Sequence, residues 1–251
     1  MEQYKFEPKV SETIVNAIVD GYRDYVEHRK DRYEKMTISS AFAWTKGNFI
    51  ESKIAEMSPT LNLTYKTAKA GLTWDYLQFI HGDTKKLFLI KNAAYFNEDC
   101  FSQALLPNKK KSKGRDRTYL HELSKINQDL EFTCDNPLQF SNSGRQGEQL
   151  SLFVPEKQIK DELEQFQDTY SEFHILTYKI DDARQISEIM HFLPNPENNI
   201  AYRIEDLSEY ISGSELTDEE REIIAPEQDS GIIDPAAFDI GILEDEDEES
   251  N

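Results

Sequence analysis

The chain has 251 residues, 38% of them apolar, and a formal net charge of −20, enough for one large α+β domain with a tail appended. No apolar run approaches the roughly 18 residues that span a bilayer, and the start MEQYKFEPKV lacks the charged-then-apolar pattern of a signal peptide. A cytosolic protein without membrane contact is therefore expected, with Cys100 and Cys134 as reduced thiols, since no CxxC or Cys/His cluster surrounds them.

In chain order, Ser11 and Glu12 open a helix whose Ile14, Val15, Ile18, Val19, Tyr22, Tyr25 and Val26 recur at helical spacing, ending in the charged run EHRKDR. A second helix is expected over residues 48–57, stopped by Ser58-Pro59. Three strand-like runs follow, LNLTYKT, LTWDYLQFI and KLFLIK, an antiparallel meander. NAAYFNEDCFSQALL reads as wholly or partly helical and TYLHELSKINQDL as a helix with Leu120, Leu123, Ile126 and Leu130 on one side. Polar loops are placed near 106–117 and 135–149. Pro155 suits the first turn of a further helix carrying Ile159, Leu163, Phe166 and Tyr170. FHILTYKI, ISEIMHFL and IAYRI then read as strands and EDLSEYI as a short helix. The single α+β domain is drawn at 1–212, its mostly antiparallel central sheet flanked by helices. Residues 213–251 form an acidic, flexible tail, with a capping box from Thr217 to Glu220 starting a short helix near 218–224.

Charge is unevenly spread. Residues 1–130 hold 21 Lys and Arg against 17 Asp and Glu, whereas residues 205–251 hold 18 acids and one base. The acid thus belongs to a tail, which argues against a mimic of nucleic acid, whose carboxylates would be spaced over a rigid face. Six cations, Lys109, Lys110, Lys111, Lys113, Arg115 and Arg117, lie within nine positions and are the candidate phosphate contacts, or else a solvated loop. In the tail, Ile232, Ile233, Phe238, Ile240, Ile242 and Leu243 sit among carboxylates, the composition of a segment that orders on a partner or covers the basic loop.

The succession αβββαβ over residues 48–180 resembles the core order of restriction-endonuclease-like domains. That resemblance implies an acid on the first helix, which Glu51 supplies, an acid on the second strand, which Asp75 supplies, and a lysine on the third, which is Lys91. It also calls for an acid two positions before the lysine, on the same strand face, and that residue is Leu89, which cannot bind a hard cation. An active nuclease, a degenerate one and an ordinary hairpin all stay open, and a divalent metal is the only cofactor in question. His121 and Glu122 begin like a zinc-protease helix, but Lys125 stands where the second histidine belongs, and no glycine loop cradles phosphate.

The phrases WDYLQFI…KKLFLIKN, YLHELSKIN, QLSLF and FHILTYKID…YRIEDLSEYI are similar to those of an uncharacterised family of Gram-positive chromosomes and mobile elements, the ClpXP-sensitive toxins. The similarity covers most of residues 10–212 and implies a growth-inhibiting protein, often encoded beside a helix-turn-helix antitoxin. The competing expectation is a non-enzymatic inhibitor or adaptor of a phage or mobile element that binds a basic host protein through the tail.

Overall fold

The structure, a computed structural model, describes residues 1–70, 74–102, 119–132, 154–155, 170–213, 215–224 and 242–243. Helix α1 (Pro8–Lys35) and helix α2 (Lys46–Met57) precede the hairpin strands β1 (Leu63–Ala70), β2 (Trp74–His81) and β3 (Lys86–Asn92). Helix α3 (Tyr119–Ser124) follows, then β4 (Glu172–Ile180), β5 (Ile186–Asn195), β6 (Ile200–Asp206) and helix α4 (Asp218–Ile224). The fold is α+β. Six strands form one sheet in sequence order, every neighbouring pair antiparallel except β3 and β4, which run parallel. A parallel neighbour requires a crossover, and residues 93–171, including α3, make it.

The sheet is covered on both faces. On one, α1 and α2 bring Ile14, Ile18, Tyr22, Ile50 and Ile54 onto Phe79, Phe88, Ile90 and Leu176. On the other, Leu120 and Leu123 of α3 and Phe101 close over Leu87, Leu89, Phe173 and Ile175. The two covering helices meet at Gly21, where a Cβ would stand 2.7 Å from the Ile50 Cα and 2.9 Å from the Phe49 carbonyl oxygen. Only glycine admits that approach. On the opposite face the fully buried Asn127, in the turn that follows α3, ties the crossover to the sheet. Its Nδ2 donates to the carbonyls of Phe173 (2.8 Å) and Pro194 (2.9 Å), and its Oδ1 accepts from the Phe173 N–H at 2.7 Å.

Several expected boundaries shift. Helix α1 begins at Pro8, with proline in its first turn, and runs through EHRKDR to Lys35. Glu, Arg and Lys, four of those six residues, are good helix formers, and Asp31 and Lys35 pair one turn apart. NAAYF contributes only the 3-10 turn Ala93–Tyr95, capped by the Asn92 side chain, and the helix from Tyr119 tightens into 3-10 at Lys125–Asn127. EDLSEYI is split, β6 continuing to Asp206 before the 3-10 turn Ser208–Tyr210. Pro155 is not in a helix turn: Val154–Pro155 pairs in parallel with Ile242–Leu243. The capping box is present, with the Thr217 N–H and the Glu220 N–H exchanging hydrogen bonds with each other's side chains. Among the described residues no helix is long and apolar enough to cross a membrane.

Candidate functional site

Strand β2 pairs with β1 along its whole length and β3 with β4 along its whole length, but β2 and β3 pair only at Phe79↔Phe88, Ile80↔Leu87 and His81↔Lys86. Beyond those three rungs the two strands part, which leaves a fork in the sheet. A backbone donor released by such a parting needs another partner, and α2 provides it: the Glu51 Oε2 accepts from the Leu77 N–H at 2.9 Å. Burial pushes the Glu51 carboxyl up to about 8, against the pull of the Leu77 N–H and the charge of nearby Lys91.

Lys91 enters the fork from β3. Its Nζ donates to the Tyr119 hydroxyl and lies 5.0 Å from that ring's centroid. Tyr119, the first residue of α3, stands 5.3 Å from Tyr76 of β2, centroid to centroid. The Tyr76 hydroxyl accepts from Gln78 Nε2 at 3.0 Å, and the buried Gln78 Oε1 has no hydrogen-bond partner among the described residues. The fork therefore holds an acid, an amine, two phenols and an amide, with one acceptor still unmet.

The expected triad comes together only in part. The charge of Lys91 reaches the Glu51 carboxyl. Asp75 is separated from Lys91, because alternation along β2 puts it with Leu77 and Phe79 on the face under α1 and α2, the face from which Glu51 also comes. Lys91 shares the other face with Leu87 and Leu89. Asp75 is exposed and lies across the sheet from the lysine. Leu89, 1% exposed, is core. Among the described residues no group of three or more His, Cys, Asp or Glu side chains is arranged to hold a metal ion.

A family of unknown function, DUF5986, has a model that matches residues 3–235. The chain belongs to that family. No curated protein and no solved structure matches it. The DUF5986 match includes both strands of the fork, Glu51 on α2, and the segment that leads into Tyr119.

The basic residues Lys109, Lys110, Lys111, Lys113, Arg115 and Arg117 lie outside the described residues, as do Ile232, Ile233, Phe238 and Ile240. Cys134 lies outside them too, while Cys100 Sγ accepts from Asn199 Nδ2 at 3.0 Å. Glu122 is engaged by Lys125, as its helical spacing allows. Sequence reasoning passed over Gln78, Tyr76 and Tyr119. The available signal was a polar residue inside the apolar run YLQFI, at a position whose alternation puts it indoors.

Proposed function

We propose that the chain is a toxin-like, growth-inhibiting protein of the cytosol that engages nucleic acid on a nuclease-like scaffold without hydrolysing it. The plan of the molecule supports the scaffold: a helix bearing an acid, three antiparallel strands, a helical crossover, and a fourth strand parallel to the third. An acid on the helix, Glu51, and a lysine on the third strand, Lys91, support the same reading.

The observation that carries the non-hydrolytic reading is Leu89. Two residues before Lys91 on the same face, it is packed into the core with Leu87, Phe173 and Ile175, and it offers nothing to a hard cation. With Asp75 exposed on the face opposite Lys91, and no group of three His, Cys, Asp or Glu side chains arranged for a cation among the described residues, the residues present do not fit a divalent metal. Burial pushes the Glu51 carboxyl up to about 8, which favours its protonated, hydrogen-bonding form at neutral pH.

Chain connectivity supports the nucleic-acid half. Arg117 ends the basic run two residues before Tyr119, whose hydroxyl meets Lys91, so phosphate contacts there would bring a strand to the fork. The acidic tail is the proposed regulatory element and the handle for a helix-turn-helix antitoxin. Purified protein should bind single- or double-stranded nucleic acid with affinity that falls steeply with salt, and Ser at Lys109, Lys110, Lys111 and Lys113 should weaken binding and flatten the salt slope. Wild-type binding that is absent or independent of salt contradicts the proposal.

A further inference from the structure

A second buried polar chain lies away from the fork, on the face under α1. Lys86 of β3 donates to the carbonyls of Tyr4 (2.9 Å) and Lys5 (3.2 Å) and pairs with Glu172 Oε2 at 3.1 Å. The same Glu172 oxygen takes a hydrogen bond from His174 Nε2 at 2.8 Å, and His174 Nδ1 meets His191 Nε2 at 2.9 Å. Phe6 lies flat on the His191 ring, 4.8 Å away and tilted by 7°. Residues 1–7 thus form a strap seated on this chain, with Tyr4 against Leu193 and Ile204 and Phe6 edge-on to Phe88.

The tautomers follow from the end of the chain that is fixed. Glu172 is held below the usual carboxylate range, because His174 and Lys86 outweigh the opposing effect of burial. A carboxylate only accepts, so His174 carries its proton on Nε2. Burial keeps His174 neutral despite Glu172, which makes its Nδ1 an acceptor and His191 Nε2 the donor. The lone pair left on His191 Nδ1 is buried and has no partner among the described residues.

We infer that this chain is a proton-operated latch: a proton taken at His191 Nδ1 releases residues 1–7 from the sheet. The groups facing that ring decide the outcome. Burial most of all disfavours a cation there, and the charges of Lys86 from β3 and Lys5 from the strap add to it. On the neighbouring strand, Glu205 of β6 is the cross-strand partner of His191, with its Oε2 buried and unpartnered among the described residues. Its Oε1 is 4.0 Å from Lys5. An imidazolium N–H draws Glu205 to itself and away from the strap lysine. Repulsion from Lys5 and Lys86, loss of the Glu205 contact and the demand of the new cation for water then act together, and lifting Phe6 admits that water.

Hydrogen exchange of the full chain, followed from about pH 8 down to about pH 4 across the histidine range, tests the latch. Protection of residues 1–7, corrected for intrinsic rates, should fall by about tenfold per pH unit once His191 titrates, while β4 and β5 stay protected. His191→Gln, which can still donate to His174 Nδ1 but takes no proton, should keep the strap protected. Strap protection that is independent of pH, that is lost together with the core, or that falls equally in His191→Gln overturns the inference. A second readout needs no change at the histidine: Phe6→Ala should raise the midpoint of His191 seen by imidazole NMR. An unmoved midpoint overturns it as well.

Discussion

The carboxyl of Glu51 on α2 accepts the backbone N–H of Leu77 on β2 at 2.9 Å, in the position that the third strand vacates as the hairpin opens. A helix side chain thereby completes the hydrogen bonding of a strand, and the open hairpin is a built feature rather than a frayed one. Removing the acceptor shows its worth. Glu51→Ala leaves the Leu77 N–H unmet and should cost about 1–3 kcal/mol in urea unfolding, whereas Glu51→Gln keeps an acceptor and should cost less.

The same group sets a pH dependence. Its carboxyl rises from an ordinary value of 4.5 to about 8 on folding. The folded state therefore binds this proton more tightly than the unfolded chain does. The stabilisation is fully present below pH 4.5 and is lost as pH rises through 8. Wild-type stability, measured relative to Glu51→Gln, should decline across that window and level off above it.

Leu89→Glu would restore the acid that the nuclease pattern lacks. Its side chain enters the cluster of Leu87, Phe101, Leu120 and Phe173, where an unpaired carboxylate is costly. A loss of roughly 3–5 kcal/mol is expected, with no gain of metal-dependent cleavage in a plasmid assay.

Gly21→Ala tests the crossing of α1 and α2. Alanine improves helix propensity by about 1 kcal/mol, but its Cβ would meet two backbone atoms at 2.7 and 2.9 Å. Backbone cannot step aside as a side-chain tip can. The substitution should lower the thermal midpoint, with a net cost of about 1–3 kcal/mol.

Asn127→Leu keeps the size and removes three hydrogen bonds to β4 and β5. The midpoint in urea should fall by an amount equivalent to about 2–4 kcal/mol with an unchanged slope.

The elements were legible because their periodicities are strong. Ile14 to Val26 repeats at helical spacing, and KLFLIK is a continuous apolar run, as befits a strand buried on both faces. What escaped was set by pairing across long separations. Asp75 looked like a partner for Lys91 because both lie on one hairpin, yet the faces depend on parity, which assigns them apart. His174 and His191 carry no local signature of a pair, and it is the pairing of FHILTYKI against ISEIMHFL across the Asp181 turn that brings Leu176 opposite His191 and both histidines to one face. The place of Glu51 on the helix is legible in the sequence; its raised carboxyl depends on the fork, which no local pattern announces.

The most direct test of the central claim is inducible expression of the full chain in a bacterial host, with growth and the integrity of DNA and RNA scored in the same culture. The account predicts that growth stops while nucleic acid stays intact, and that Ser at Lys109, Lys110, Lys111 and Lys113 relieves the arrest. Cleaved nucleic acid in the wild-type culture that becomes intact with Glu51→Gln or Lys91→Ala, or growth that continues unaffected, contradicts it.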